Sequence, residues 1–261
     1  MNNMPGFFHN LLSGLRDLFF PPSCLNCQAP LNTGDHPLLC PACLDTVRLV
    51  RRPWCSCCGE VFSGEGGDHL CERCLATPPR FSKARALFVF APPVVTLIHA
   101  FKYLGNRAAL SSLLAMVSED RLNKLDLGES DLVIPVPLHP KRLRQRGFNQ
   151  AGLVARKLFP GSKISFSSLK RLRVTASQTG MDRRTRRRNV KNAFSVSDPS
   201  LVKGKKILLV DEVFTTGATV DECAKTLLAT GARQVEVFTL CRTIRHQDDP
   251  FSRLPSKPSI G

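Results

Sequence analysis

Eight cysteines in the first third of the chain fall into four CxxC pairs: Cys24/Cys27, Cys40/Cys43, Cys55/Cys58 and Cys71/Cys74. Twelve residues separate the first pair from the second, and twelve separate the third from the fourth. The unit CxxC-x12-CxxC therefore stands twice in tandem. A CxxC turn places both sulfurs on one side of a tight loop, and two facing turns complete the tetrahedral S4 set that Zn2+ prefers. With four protein ligands no position is left for water, so two such centres are read as structural. About sixty residues with few large apolar side chains cannot bury much core alone. Structural zinc contributes about 10–16 kcal/mol of apparent binding energy in such a case. Metal removal is accordingly expected to unfold residues 20–78 and leave the rest of the chain largely intact. Disulfides are the competing reading, and both the paired spacing and a cytosolic setting weigh against them. Redox pairs are weaker still, because four copies outside a strand–helix context are hard to explain. In Cys55-Ser56-Cys57-Cys58, Cys57 competes as a ligand, and the knuckle ending Cys58-Gly59 favours Cys58. The tandem repeat favours neighbouring pairs sharing a metal, with a cross-braced arrangement as the alternative. Cys223 and Cys241 fall on an expected helix and strand and read as core.

A second constraint lies in Ile207–Thr219, ILLVDEVFTTGAT. Ile207, Leu208, Leu209 and Val210 form the uninterrupted apolar run of a buried parallel strand. Asp211 and Glu212 are expected where that strand ends. Thr215, Thr216, Gly217, Ala218 and Thr219 then open a helix. In an α/β sheet, ligands bind at the carboxyl ends of strands. A helix N-terminus there offers backbone N–H groups and a positive dipole end to phosphate. The two acids supply acceptors for sugar hydroxyls beside it. A threonine N-cap alone would explain Thr215 or Thr216. It would not explain two adjacent carboxylates after a buried strand, where desolvating charge is costly. The stretch thus reads as a site for a phosphorylated sugar.

Strand signals at 84–90, 131–136, 163–169, 206–213 and 234–241 alternate with helical ones at 94–101, 108–122, 148–159 and 218–229. This alternation predicts an α/β fold with a mainly parallel sheet and helices on both faces. The expected organisation is an amphipathic helix over residues 1–22, a zinc-binding region over 23–78, the sheet domain over 80–244 and a disordered tail over 245–261. The helix is marked by Leu11, Leu12, Leu15, Leu18 and Phe19 and stopped by Pro21-Pro22. No segment reaches the ~18 uninterrupted apolar residues of a membrane span, and the N-terminus lacks the pattern of a signal peptide. A cytoplasmic protein is expected.

The net charge of +16 points to a polyanionic partner such as nucleic acid or a phosphate-rich ligand. The excess is concentrated between Pro140 and Asn192, where sixteen Lys and Arg face a single acid, Asp182. A pyrophosphate-bearing ligand needs only some of these cations. Lys170–Lys191 is too long for a simple connector. Aromatic side chains are scarce in it, so platforms for stacking single-stranded bases are not obvious.

Three segments carry a family resemblance. ILLVDEVFTTGAT resembles the phosphoribosyl-diphosphate motif of type I phosphoribosyltransferases. DLVIPVPLHPKRLRQRGFNQA (Asp131–Ala151) and LKRLRVTASQTGMDRRTRRRNVKNAF (Leu169–Phe194) resemble the ComF, or competence protein F, family. The likeness runs from about Cys24 to Arg242. It implies an N-terminal double zinc ribbon before a transferase domain, phosphoribosyl diphosphate and Mg2+ as ligands, and a link to DNA uptake. Single-stranded DNA or DNA-uptake proteins are the partners so implied. By resemblance, Asp211, Glu212 and the Thr215–Thr219 turn bind the sugar phosphate. Pro137, Leu138 and His139 form the pyrophosphate turn, and Arg171, Arg173, Gln178, Arg186 and Asn189 belong to a loop that closes over the substrate. Such a lid excludes water from a ribose centre that gains positive charge as pyrophosphate leaves. Lys102 matches a lysine near the acceptor pocket, while a solvated helix-end lysine is an equal reading. Where the family carries two aspartates this chain has Asp211-Glu212, one methylene longer at the second acid. The resemblance implies an enzyme of unidentified acceptor; a DNA-binding accessory protein and a non-catalytic phosphoribosyl-diphosphate sensor are the alternatives.

Overall fold

Ile207–Val210 are all buried at the centre of the molecule's sheet, the outcome expected of an unbroken β-branched and leucine run. The computed structural model describes residues 21–32, 36–64, 66–174 and 183–244. The helix expected over 1–22 falls, apart from Pro21 and Pro22, outside the described residues, and so do Gln178 and the tail after residue 244. In chain order come α1 (Pro41–Leu44), α2 (Glu72–Ala76), β1 (Lys83–Val89), α3 (Val94–Tyr103), α4 (Arg107–Ala115) and α5 (Glu119–Asn123). Next are β2 (Leu132–Pro135), α6 (Pro140–Arg146), α7 (Gln150–Leu158), β3 (Leu169–Arg171), α8 (Arg183–Val190) and β4 (Phe194–Val196). Then come β5 (Lys206–Phe214), α9 (Ala218–Ala229) and β6 (Gln234–Arg242).

Four strands form a wholly parallel sheet in the order β1-β6-β5-β2. Side chains alternate across it. Ile207, Leu209, Val235, Val237, Leu132 and Ile134 face one side, packed with Phe81, Phe214, Cys223, Ala224 and Leu227. Helix α7 packs on β5 and β2, and Phe159 just after it meets Phe238 of β6 edge to face, ring centroids 5.4 Å apart. Each fully buried Leu, Ile, Val or Phe contributes about 1.5–3 kcal/mol relative to exposure.

The chain divides into two compact units. One takes the described residues up to Val47 together with Ala91–Met116; the other takes Arg48–Phe90 and the described residues from Val117 onward. Helices α3 and α4 pack together in the first unit, and the sheet lies in the second.

Several elements differ from the sequence expectation. The helix expected over 108–122 is two helices, because Ser118 caps a new start by accepting the Arg121 N–H at 3.3 Å. The strand expected over 163–169 shrinks to a bridge between Ile164 and Val133. The described parts of the basic connector carry structure: β3 and β4 pair antiparallel, Leu169 with Val196 and Arg171 with Phe194, and α8 lies between them in the chain. The turn at Pro140 opens helix α6, with proline in its first turn and Gly147 in the left-handed region after its end.

Candidate functional site

The cysteine pairs resolve into two S4 groups. Cys24, Cys27, Cys40 and Cys43 form one, Cys55, Cys58, Cys71 and Cys74 the other, and within each group the sulfurs lie within 4.8 Å of one another. Neighbouring pairs therefore share a centre, and the cross-braced alternative is ruled out. Cys57 belongs to neither group, and its Sγ lies 3.8 Å from the carbonyl oxygen of Phe81. An all-sulfur set of four fits zinc. The first group is braced from outside: Asn26 Nδ2 donates to Cys43 Sγ at 3.3 Å, and Thr96 Oγ1 donates to Asn26 Oδ1 at 3.0 Å. In the second, the backbone N–H groups of Cys58 and Cys71 donate to Cys55 Sγ at 3.4 and 3.3 Å. Burial pushes the Cys43 thiol up to about 12, and the neighbouring Cys55 thiol together with burial pushes Cys58 up to about 12. Four crowded thiols do not ionise together without a cation, so zinc binding releases protons and weakens in acid.

The second unit also holds the phosphate-loop candidate. On its β2 side β5 is paired only as far as Val210, opposite Pro135. On its β6 side pairing continues to Phe214, opposite Arg242. The chain leaves β2 at Val136, whose N–H still reaches the Val210 carbonyl at 2.8 Å. Among the described residues no strand pairs with the β2-side edge of residues 211–214. The strand ends at Phe214, one residue past the expected 206–213, and Asp211 and Glu212 lie within it and point to opposite faces. Asp211 is half-buried and accepts the Glu212 N–H at 2.9 Å; Glu212 is 6% exposed.

Gly217 caps α9 at φ 77°, and a Cβ there would lie 2.7 Å from Phe214 Cζ. Only glycine meets both demands. Thr216 Oγ1 accepts the Ala218 N–H at 3.4 Å. Among the described residues no protein atom accepts a hydrogen bond from the backbone N–H of Thr215, Thr216 or Gly217. These donors sit at the positive end of a twelve-residue helix. Thr219, half-buried, begins its first turn. A small open depression beside the loop is lined among others by Arg73, Phe81, Arg187, Thr216, Gly217 and Asp221.

Arg171, at the end of β3, is lowered chiefly by burial, with repulsion from Arg142 and attraction to Asp211 also acting on it. Arg142 and Asp211 thus both lie within electrostatic reach of Arg171. Cys223, fully buried in α9, has its thiol raised by burial and by the Asp211 charge, which makes it an inert core group. Arg173 is exposed and donates to the Lys191 carbonyl at 2.9 Å, tying the two ends of the basic segment. Arg186 and Asn189 are half-buried on α8. Pro137, Leu138 and His139 are half-buried, and His139 caps α6 by accepting the Lys141 N–H at 3.2 Å. Lys102 is half-buried in the last turn of α3, in the first unit.

Sequence reasoning missed the work of Asn149. Its Nδ2 donates to the Val136 carbonyl at 3.1 Å while its Oδ1 accepts the Gly152 N–H at 3.4 Å. One side chain thus caps α7 and holds the start of the Pro137–His139 turn. Arg146 adds a bond to Gln150 Oε1 at 3.2 Å. The signal was present, since asparagine before a helical run is an N-cap signature.

A family model for the double zinc ribbon domain matches residues 15–75, and one for the phosphoribosyl transferase domain matches residues 143–256. Over 233 residues the chain is 37% identical to the DNA utilization protein YhgH of Escherichia coli O157:H7, covering 87% of this chain and 100% of that protein. Over 230 residues it is 30% identical to Competence protein F of Haemophilus influenzae, covering 86% and 98%. The chain belongs to the ComF family. A more distant member, Competence protein ComFC of Bacillus subtilis, is 26% identical over 212 residues, 78% of this chain and 84% of that one. Both S4 groups fall inside the zinc-ribbon match, and β5, α9 and the basic helix α8 fall inside the transferase match. The family thus joins a double zinc ribbon to a parallel-sheet phosphoribosyltransferase fold, as this chain does. Among the described residues no helix is long and apolar enough to cross a membrane.

Proposed function

We propose that this ComF-family chain binds phosphoribosyl diphosphate with Mg2+ at the Thr215–Thr219 loop and serves DNA uptake or use in the cytoplasm. One observation carries the first half: β5, which holds Asp211, runs into a left-handed glycine cap at which the N–H groups of Thr215, Thr216 and Gly217 have no acceptor among the described residues. A sugar phosphate supplies the missing acceptors, and Asp211 and Glu212 accept from ribose hydroxyls. Arg142 and Arg171 balance the pyrophosphate. When bound, Mg2+ is a hard cation held by oxygen ligands that neutralises pyrophosphate charge. The names borne by the Escherichia coli and Haemophilus relatives support the second half, as do the exposed Arg184, Arg187 and Arg188 of α8.

The test is calorimetric titration of the zinc-loaded chain with phosphoribosyl diphosphate and Mg2+. Binding is expected, and Asp211→Asn, which removes an acceptor for hydrogen bonds worth about 1.5–3 kcal/mol when charged, is expected to weaken it by roughly 10- to 150-fold. No binding, or binding indifferent to Asp211→Asn, would refute the reading. Pyrophosphate release measured over a panel of nucleobases then separates a transferase from a sensor.

A further inference from the structure

The second S4 centre does not stop at its four sulfurs. Cys55, Cys58, Cys71 and Cys74 share one hydrophobic cluster with Phe81, Phe214, Ala218 and Cys223. Arg242, the last residue of β6 and 1% exposed, reaches into the ribbon. Its Nη1 donates to the Cys58 carbonyl at 2.6 Å and its Nη2 pairs with Glu60 at 2.6 Å. Glu60 is itself 4% exposed. On its other side Arg242 is the register partner of Phe214, and its guanidinium carbon lies 5.2 Å from the centroid of that ring. The Phe214 ring is wedged against Gly217, the cap of α9, and is met edge-on by Phe81 at 6.0 Å. A continuous line of contacts therefore runs from the zinc knuckle through Arg242 and Phe214 to the anion loop, all within one compact unit.

The knuckle is an element with two states, because a ribbon of this size is ordered only while its metal is bound. Without metal, the Cys58 carbonyl and the Glu60 carboxylate leave Arg242. A buried guanidinium that loses its acceptors cannot stay where it is without a large desolvation cost. Once it moves, Phe214 loses the cation above its ring, and the wedge that fixes Gly217 loosens.

We infer that metal binding at Cys55/Cys58/Cys71/Cys74 and ligand binding at the Thr215–Thr219 loop are thermodynamically linked, with Glu60 and Arg242 as the positioning residues that carry the link. The inference rests on the reading of that loop as a sugar-phosphate site. Linkage is reciprocal, so the sugar diphosphate holds zinc in the second centre by the factor by which zinc favours the sugar diphosphate. A factor of about 5–150 is typical of coupled sites.

The test uses the full zinc-loaded chain and two readouts. Trp54, the single tryptophan, is 3% exposed and directly precedes the ligand Cys55, so its fluorescence tracks the second centre. Zinc is withdrawn with a competing chelator, with and without phosphoribosyl diphosphate in saturating Mg2+. Affinity for phosphoribosyl diphosphate is measured in parallel on wild type, Arg242→Met, Arg242→Lys and Glu60→Gln. The expected result is at least a fivefold rise in the chelator needed to quench the Trp54 signal when ligand is present. Arg242→Met should cut that factor towards one while total zinc stays at two per chain, and Arg242→Lys should recover part of it. A ligand that binds wild type tightly without altering zinc retention overturns the linkage alone. Full linkage in Arg242→Met overturns the route. No binding to the zinc-loaded wild type overturns the sugar-phosphate reading and the linkage with it.

Discussion

Gly59→Ala measures how firmly the second ribbon is seated on the sheet. Gly59 has φ 71°, a conformation that costs an L side chain about 1–2 kcal/mol. An added Cβ would lie 2.6 Å from the Ala84 carbonyl oxygen and 3.1 Å from Arg242 Nη1. That carbonyl belongs to β1 and cannot swing aside as a side chain would. Overpacking of this kind costs about 1–3 kcal/mol, for a total of about 2–5 kcal/mol. Gly147 is the control: its φ is 75°, and nothing lies within 4 Å of its would-be Cβ. Gly147→Ala should therefore cost about 1–2 kcal/mol, the conformational part alone. The difference between the two variants, about 1–3 kcal/mol, belongs to the seating. Urea unfolding of the zinc-loaded chain, monitored by Trp54 fluorescence, reads the ribbon directly. With a urea slope of about 1–3 kcal/mol/M, the Gly59→Ala midpoint should fall by roughly 1 M or more. Equal losses at the two glycines would refute the seating, and so would an unmoved Trp54 midpoint in Gly59→Ala.

The same contacts lead to other outcomes. Metal analysis should find two zinc ions per chain in wild type and Cys57→Ser and one in Cys58→Ser, since Cys57 lies outside the S4 group; one zinc in Cys57→Ser would reverse the assignment. Asn149→Ala should cost about 1–2 kcal/mol in thermal unfolding, as loss of an N-cap does, and should also weaken phosphoribosyl-diphosphate binding through the Val136 carbonyl it releases. A loss of stability with unchanged ligand affinity would reduce Asn149 to a cap. Replacing Arg184, Arg186, Arg187 and Arg188 with glutamine should lower the salt slope of single-stranded DNA binding by up to about 3, at roughly 0.7 per phosphate contact. An unchanged slope would place the DNA surface elsewhere.

What could be read in the sequence was what local pattern dictates. Ile207–Val210 announced a buried strand as an unbroken run of β-branched residues and leucine, and Ala218–Ala229 announced its helix by its turn and its periodic small and apolar residues. The ribbon pairing was legible from spacing alone. Helix α8 was not, because Arg183–Val190 has no apolar period and Val190 alone among its described side chains is buried. The break between α4 and α5 was missed because Leu113, Leu114, Met116 and Val117 keep the apolar content high across it. Glu60–Arg242 was beyond any local pattern, since it joins positions 182 residues apart. Nor did any local pattern reveal that the second S4 centre shares the sheet's hydrophobic cluster, and chelation of the zinc-loaded chain tests whether metal loss spares the sheet domain.

The placing of four sulfurs in the sheet's own core bears on anyone who trims this protein. Expression fragments that begin at Pro79 would strip a wall from Phe81 and Phe214 and leave a sticky flank where the ribbon had been. Such pieces are expected to gather in insoluble deposits. A minimal version that remains in solution has to start no later than Arg48 and be grown with zinc in the medium.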